Sequence, residues 1–364
     1  MNFQNKRVGP TGGNILELKM HRVITPPEKV KYIRYVRENG GPGDVIRLMA
    51  LGQGLRKIYK NAKIHYFGPK YLESLIAPRC REAFDLYLAS DIRRPRDMGV
   101  DEITYPHLYT GIKYDISIDG WCPPYLHEPN TQGVCSQDRT ELWCRCGSVP
   151  FNRPHMIPLT EDTRWKDYYL KKYKGKKIIG FQPGATCPSR AYPYKHWNTL
   201  CNLLIERGIH LILFDVCERW QQDIDTRKLE KSIARPWPET LGKILATDLM
   251  ITPDSGFFHL SGALKKKTLG LFGPTSGEII VRPWRLEEKT HHFLELSMEE
   301  AYQLELPVTE SGNFMGKMSC KPKCYQRWER GWNADRYRTH GKFCDLLENL
   351  TPYVVFNKIM ELIN

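Results

Sequence analysis

Hydrophobic and polar positions along this chain form two kinds of block, short apolar runs and longer segments with helical spacing. A run of aromatic and β-branched residues from Lys31 predicts a strand that stops at Gly40. The segment that follows, up to Asn61, carries apolar side chains at helical spacing, and further strands are predicted at 63–68 and 112–120. Strands that alternate with helices in this order are typical of a parallel sheet with crossover helices.

A second block of alternation begins at Lys176, after a stretch rich in Cys, Pro and Asn between Trp121 and Pro158. We interpret that stretch as a long loop. Because the alternation restarts beyond it, we predict an α/β chain with two Rossmann-like, doubly wound halves. The expected division is an N-terminal extension at 1–28, an N-terminal domain at 29–170, a C-terminal domain at 171–350 and a terminal helix at 351–364.

Composition and charge narrow the class of protein. The 364 residues, 41% of them hydrophobic, suit about two soluble domains, and no run approaches the roughly 18 apolar residues of a membrane helix. The N-terminus lacks the apolar core of a secretory signal, so we expect a cytoplasmic protein. The net charge of +13 favours polyanionic partners such as nucleic acid, anionic lipid head groups or phosphorylated small molecules, although a dispersed basic surface is an alternative. The densest basic cluster is Lys171–Lys177, directly before a predicted strand.

One stretch of sequence predicts a phosphate site. A strand that ends at Asp254 and Ser255 leads into a helix, whose first-turn amides and positive dipole end favour an anion. Gly256 permits close approach of the backbone, His259 lies in the first turn, and the turn at 273–275 would lie at the same carboxyl edge of the sheet. The alternative is that Asp254 or Ser255 simply caps the helix.

Three segments resemble glycosyltransferase family 9, which includes the ADP-heptose lipopolysaccharide heptosyltransferases. Residues 254–275 resemble the family signature D-[ST]-G-x-x-H-L-x-A-A-L-x-x-P-x-x-x-L-F-G-P-T, with Gly262 in place of the usual Ala and Lys267 in place of the usual Pro. Residues 180–197 resemble the family's second strand-loop segment, and residues 43–46 resemble its G-D-[VL]-[IL] turn.

The resemblance implies a GT-B fold, in which two Rossmann-like domains face each other across a cleft and the last helix packs back on the N-terminal domain. It also implies an inverting sugar transfer, with the acceptor on the N-terminal domain and the nucleotide-sugar on the C-terminal domain. Asp44 would be the general base that takes the proton of the acceptor hydroxyl. Arg190, at a position where the family commonly has Lys, would neutralise the departing diphosphate. The alternatives are that Asp44 only caps a helix and that Arg190 is merely solvated.

The same resemblance implies a donor site and its partners. Glu218, just beyond a predicted strand, is a candidate for the ribose hydroxyls of the nucleotide. The chemistry would need no metal, and the DID run at 223–225 is interpreted as surface. ADP-heptose is a candidate donor; the acceptor would be a glycolipid, a glycan or a protein hydroxyl, with peripheral contact to an anionic membrane surface at the inner membrane face and no role for nucleic acid. The predicted donor-binding residues are Gly43, Thr186, Ser189, Arg190, Glu218, Asp254, Ser255, Gly256, His259 and Thr275.

Cysteines in the segment 318–345 suggest a structural metal. Two pairs, Cys320 with Cys324 and His340 with Cys344, have the spacing and ligand chemistry of a tetrahedral zinc or iron site. Family members resemble this chain in carrying a cysteine cluster there, and the protein heptosyltransferases hold iron in it. The alternative is free thiols and a surface histidine. A second cysteine group, at 122, 135, 144 and 146, is a weaker candidate, and the cysteines at 80, 187, 201 and 217 are predicted to pack as small apolar residues.

Two other function classes remain open at this point. A basic nucleic-acid-binding protein with a small zinc module would explain the lysines and the cysteines, but the chain lacks an aromatic and basic RNA signature. A GT-B-like scaffold without activity would explain the change to arginine at position 190.

Overall fold

A computed structural model describes residues 26–37, 40–90, 111–119, 138–185, 190–215, 224–273, 276–285, 290–304, 308–309, 319–320 and 344–364. The chain divides into two compact units. The N-terminal unit comprises the residues up to Thr131 together with Arg139–Pro154, and the C-terminal unit comprises Gln132–Asp138 together with His155–Asn364.

The N-terminal unit contains one parallel sheet with strand order β3-β2-β1-β4. Its first strand forms as the pattern predicts, because Ile33 and Tyr35 are fully buried on one face. Helix α1 is buried along most of its length, as expected for the crossover helix of a parallel sheet. In chain order the elements are β1 Tyr32–Val36, α1 Pro42–Ile58, β2 Lys63–Pro69, α2 Glu73–Ile76, β3 Leu86–Ser90, β4 Ile116–Asp119 and α3 Arg139–Cys146, with short 3-10 turns at Pro27–Lys29 and Lys70–Leu72.

The C-terminal unit contains a six-stranded parallel sheet with strand order β10-β9-β8-β5-β6-β7. Two short strands, β11 and β12, pair antiparallel outside it. The elements are α4 Thr160–Lys172, β5 Ile178–Phe181, α5 Tyr194–Glu206, β6 His210–Asp215, β7 Glu230–Ile233, α6 Trp237–Ala246, β8 Leu249–Pro253, α7 Gly256–Ala263, β9 Thr268–Leu271, α8 Gly277–Val281, a 3-10 turn Arg282–Arg285, β10 His291–Leu294, α9 Met298–Gln303, β11 Val308–Thr309, β12 Ser319–Cys320, α10 Asp345–Asn349 and α11 Pro352–Ile363.

Both sheets have the connectivity of a Rossmann fold. Numbered within its own unit, the larger sheet has the order 3-2-1-4-5-6 and the smaller one the order 3-2-1-4. The strand order reverses between β1 and β4 in one unit and between β5 and β8 in the other, which is where ligands bind in open parallel sheets. The predicted α/β fold with two parallel sheets is confirmed.

The core of the C-terminal unit lies between the sheet and helices α5 and α11. Trp197 of α5 and Ile359 of α11 are buried against apolar strand residues such as Leu213 and Leu271. The terminal helix groups with the C-terminal unit, where its apolar stripe covers α5, and its predicted packing on the N-terminal domain stays a prediction.

The boundary between the units and one helix also differ from the prediction. The second unit begins at His155 rather than at 171, because α4 belongs to it: Tyr169 Oη lies 3.3 Å from the Glu239 carboxylate on α6, and Lys243 of α6 lies over the Tyr169 ring. The stretch interpreted as a long loop contains α3. Each helix among the described residues is too short or too polar to cross a lipid bilayer.

Candidate functional site

In the C-terminal unit, the reversal of strand order brings together the residues that follow β5 and β8. Ser255 is the N-cap residue of α7 and has an extended backbone, but its side chain makes no capping hydrogen bond to the described helix. Its Oγ instead donates to Gln182 Oε1 at 2.7 Å. The interpretation of Ser255 as a simple cap is therefore wrong, and the first-turn amides of α7, which have no intrahelical acceptor, face the carboxyl edge of the sheet.

Gln182 links the two loops at this edge, and the sequence analysis did not identify it. Thr252 Oγ1 lies 2.7 Å from Ser255 Oγ, and the Gln182 amide nitrogen donates to the Gly184 carbonyl oxygen at 2.6 Å. A hydrogen-bonded chain thus runs from β8 through Ser255 and Gln182 to the loop after β5. It fixes that loop relative to the start of α7.

Asp254 lies beneath the start of α7 and is almost completely buried. Arg190 Nη1 lies 3.1 Å from Asp254 Oδ2, and His259 Nε2 lies 3.9 Å from Oδ1. Arg190 is therefore paired and held at the site, and the alternative of a merely solvated side chain is wrong. Its guanidinium has five N–H donors, so a contact through one nitrogen is compatible with a second anionic partner.

The structure explains both departures from the family signature. At Gly262, an added Cβ would lie 2.4 Å from ring atoms of Trp284, so the usual alanine does not fit beside this tryptophan. At Lys267, the ammonium group donates to the Leu362 carbonyl oxygen at 2.9 Å, near the end of α11. Both changes lie away from the carboxyl edge of the sheet.

In the N-terminal unit, Asp44 occupies the third position of α1, where the strand order of the smaller sheet reverses. The N-cap of this helix is Gly41, so the interpretation of Asp44 as the cap is wrong. Its carboxylate contacts two guanidinium groups: Oδ2 lies 3.2 Å from Arg37 Nη2, and Oδ1 accepts a hydrogen bond from Arg139 Nη1. Gly43, beside it, is buried in the first turn.

The two arginines were not predicted. Arg37 follows β1 directly, and Arg139 begins α3, 95 residues after Asp44. A signal for α3 was present, since Asp138 stands three residues before Glu141, the spacing of a capping box. Nothing local in the sequence indicates that this helix would contact Asp44.

The remaining predicted residues divide into those that the structure describes and those that it does not. The DID run was interpreted as surface, which is confirmed at Asp225, an exposed carboxylate paired with Arg227 at 2.7 Å. Within the described ranges, no group of three or more His, Cys, Asp or Glu side chains could hold a metal ion. Cys344 is buried in the apolar core. Outside the described residues lie Thr186, Ser189, Glu218, Thr275, Cys324 and His340, together with the side chain of Cys320.

Two cysteines predicted to pack as small apolar residues do so. Cys80 and Cys201 are buried, and burial raises the pKa of each thiol to about 12. A thiol with such a pKa is a poor nucleophile and metal ligand at neutral pH.

The basic cluster Lys171–Lys177 lies at the amino ends of the strands of the larger sheet, whereas Ser255 lies at their carboxyl ends. It spans the end of α4 and the turn that enters β5 at its amino end, and its lysines are exposed. The four residues of β5 lie between the cluster and Gln182, so Lys177 and Gln182 are about 16 Å apart at the usual rise of a parallel strand. The cluster is therefore not part of the predicted phosphate site.

Comparison with known proteins gives a family match and matches to solved structures. Residues 156–300 match the model of glycosyltransferase family 9 (heptosyltransferase). Lipooligosaccharide heptosyltransferase 2 of Haemophilus influenzae is 28% identical over 152 residues, which are 36% of this chain and 42% of that protein. The structure of E. coli ADP-heptose lipopolysaccharide heptosyltransferase II covers 91% of this chain and 98% of its own, with a TM-score of 0.60 and 17% identity.

An iron-containing dodecameric glycosyltransferase from enterotoxigenic E. coli is also similar, with a TM-score of 0.53 and 12% identity over 74% of this chain and 64% of that one. At these identities the structural likeness shows the fold. The chain spans 32% to 42% of the length of the first curated relatives that it matches. The resemblance inferred from residues 180–197 and 254–275 is confirmed, because both segments lie within residues 156–300, which match the model of glycosyltransferase family 9; residues 43–46 lie outside the match.

Proposed function

We propose that this chain is an inverting glycosyltransferase that moves a sugar from a nucleotide-diphospho sugar to a hydroxyl group. The observation that carries the proposal is the start of α7, where Ser255 bonds to Gln182 and leaves the first-turn amides directed at the reversal point of the sheet. Backbone amides at a helix N-terminus favour a diphosphate. This feature lies inside the segment that matches the family.

The C-terminal unit is the proposed donor domain. ADP-heptose is the first donor to test, because the similar proteins are named as heptosyltransferases and one of them as an ADP-heptose enzyme. Arg190, held near the start of α7 by Asp254, would stabilise the negative charge that develops on the leaving diphosphate. Four further residues stay predictions for the donor site: Thr186, Ser189, Glu218 and Thr275. Among the described residues, the proposed site includes Asp254, Gly256 and His259.

The N-terminal unit is the proposed acceptor domain, and Asp44 is the proposed base. The acceptor oxygen forms a bond to the anomeric carbon, while the bond from that carbon to the diphosphate oxygen breaks and its electron pair leaves with the diphosphate. The hydroxyl proton passes to the Asp44 carboxylate. Attack from the face opposite the diphosphate inverts the anomeric centre.

We further propose that the acceptor is a glycolipid, a glycan or a protein hydroxyl, and that the protein works in the cytoplasm at an anionic membrane surface. The exposed lysines of the cluster 171–177, together with Tyr168 and Leu170, which are exposed on α4, support such contact. Cationic and aromatic side chains of this kind bind anionic head groups. Sedimentation with phosphatidylglycerol vesicles, compared with phosphatidylcholine vesicles, tests it.

The structural metal also stays a proposal. Cys320, Cys324, His340 and Cys344 would hold zinc or iron, with no part in the transfer step. Elemental analysis of the purified protein, before and after dialysis against a chelator, tests for it. A protein that contains less than a stoichiometric amount of either metal would contradict the proposal.

Calorimetric titration of the purified protein with ADP, GDP, UDP and CDP tests the proposed donor site. One nucleotide should bind clearly better than the others, and Arg190→Gln should weaken it by about tenfold, as for loss of one charged hydrogen bond. The matched control is Arg227→Gln, which removes an exposed arginine that is also paired with an aspartate. No binding at millimolar concentration would contradict the proposed function.

The two rival functions predict other results. A nucleic-acid-binding protein would bind RNA with a steep dependence on salt and without need of Asp44. An inactive scaffold would bind a nucleotide and transfer no sugar. No described contact favours either rival over transfer.

A further inference from the structure

We propose that Arg37 and Arg139 are positioning residues that hold the Asp44 carboxylate in place for proton transfer. The inference rests on the proposed function, in which Asp44 is the base. Each oxygen of the carboxylate contacts a different guanidinium group, Oδ2 that of Arg37 and Oδ1 that of Arg139. We call this arrangement of three side chains the Asp44 clamp.

The two arginines are themselves held by the same helix. The guanidinium carbon of Arg37 lies 5.3 Å from the centre of the Trp143 ring. Arg139 and Trp143 are four residues apart on α3 and therefore share one face of that helix. Helix α3 thus supplies one guanidinium group of the clamp and a stacking surface for the other.

Gly40, just before α1, has no side chain and so leaves room for the Asp44 clamp. Gly40 has a φ of +126°, a conformation that residues with a Cβ rarely adopt. A Cβ there would lie 3.0 Å from Arg37 Nε and Nη2 and 3.3 Å from Asp44 Cβ. A side chain at this position would therefore press directly on the pair.

Burial gives the clamp a larger effect than a surface ion pair has. The side chains of Arg37 and Arg139 are 9% and 14% exposed, while Asp44 is 24% exposed. Water screens such charges weakly, so the two ion pairs hold the carboxylate in one position more strongly than a pair on the surface would. A carboxylate has about four lone-pair sites, and contacts with two guanidinium groups are compatible with a further contact to an incoming hydroxyl.

The clamp makes a specific prediction for kinetics. Arg139→Gln and Arg37→Gln should each lower kcat by about 10²-fold, the usual cost of a misplaced catalytic group, and leave KM for the donor unchanged. Arg139→Lys, which keeps the charge, should retain more of kcat than Arg139→Gln. The control is Arg56→Gln, which breaks an arginine–aspartate pair with Asp85 in the same unit, away from Asp44.

A double-mutant cycle shows whether the arginines act through Asp44. In an Asp44→Asn background, Arg139→Gln should cause no further loss of kcat, because there is no base left to position. An equal loss in both backgrounds, or an effect no larger than that of Arg56→Gln, would overturn the clamp. If Asp44→Asn alone transferred sugar at the wild-type rate, the assignment of the base would fail instead, and the two failures are distinguishable.

Discussion

The two sheets reverse their strand order at equivalent places, and each reversal point carries an aspartate in a different setting. Asp44 lies within the first turn of α1, is 24% exposed and contacts two arginines. Asp254 lies just before α7, is 6% exposed and contacts one arginine and a histidine. The first carboxylate can be reached by an incoming hydroxyl, whereas the second is buried and holds a cation beside a helix N-terminus. The same topology thus places the two carboxylates in different environments, as the two proposed roles require.

The same substitution at the two aspartates should separate these roles most strongly. Asp44→Asn should lower kcat by about 10³-fold, since an amide cannot accept the hydroxyl proton and general bases contribute 10²–10⁴-fold. Nucleotide affinity, measured by calorimetry, should stay at the wild-type value. A variant that keeps its transfer rate, or one that loses nucleotide binding to the same extent, would remove the distinction between the two sites.

Asp254→Asn should instead lower stability and donor binding. Loss of the buried charge leaves Arg190 without its partner carboxylate, and we expect the free energy of unfolding to fall by about 3 kcal/mol. The control is Asp225→Asn, which breaks an exposed pair with Arg227 and should cost far less than the change at Asp254. Urea denaturation of both variants measures the difference, and equal losses would contradict the assignment of a buried role to Asp254.

The hydrogen bonds through Gln182 differ from the Asp44 clamp. They join two loops through neutral groups, whereas the clamp consists of charged side chains. Gln182→Leu should lower the free energy of unfolding by about 2 kcal/mol, since it removes the acceptor of the Ser255 hydroxyl, which keeps only Thr252 among the described residues, and the donor to the Gly184 carbonyl oxygen. It should also weaken nucleotide binding. Gln303→Leu, an exposed glutamine on α9, is the control for both measurements. Unchanged nucleotide binding would show that these hydrogen bonds do not order the proposed donor site.

How much of this could be predicted from sequence depended on the position of each element in its sheet. The interior strands β5 and β8 are apolar runs buried on both sides, and their patterns identified them. Within the two parallel sheets, the strands that the pattern did not predict, β3, β7 and β10, are all edge strands. Of these, β7 carries a glutamate, a lysine and a serine and therefore lacks a clear apolar pattern, whereas the edge strand β4 lies within the predicted strand at 112–120.

The candidate sites divide in a similar way. Asp44, Asp254 and Ser255 lie in continuous motifs, so sequence alone could identify them. Arg139 and Gln182 act through contacts with residues 95 and 73 positions away, which only the folded chain brings together. No local pattern distinguishes such residues from ordinary polar side chains.

A substitution at Gly262 tests whether this departure from the family signature affects packing and leaves nucleotide binding unchanged. Gly262→Ala restores the usual family residue but places a Cβ 2.4 Å from the Trp284 ring, and we expect a loss of about 1.5 kcal/mol in the free energy of unfolding. Nucleotide affinity should not change. Adding Trp284→Phe should give a double variant that loses less than the sum of the single losses. Additive losses would mean that the tryptophan is not the cause.

The smallest effect is expected for His210, at the amino ends of the strands of the larger sheet and away from Ser255. Burial, with the charges of Lys176 and Lys172, lowers the pKa of His210 to about 4. The Glu230 carboxylate, 3.2 Å from His210 Nε2, does not reverse this shift, because it also contacts Lys172. A histidine with a folded pKa below its unfolded value of about 6.5 gives stability that is present above pH 6.5 and lost as the pH falls towards 4.

His210→Gln should therefore reduce the loss of stability between pH 7 and pH 5 by about 1 kcal/mol, measured by urea denaturation at both values. Lys174→Gln, a neighbouring substitution that removes no group titrating in this range, is the control. Nucleotide affinity at pH 7 should be the same in the wild type and in both variants, because His210 begins β6 at the edge remote from Gln182 and Ser255. A change in affinity would mean that the two edges of this sheet are coupled, and that the donor site depends on more than the residues at its own edge.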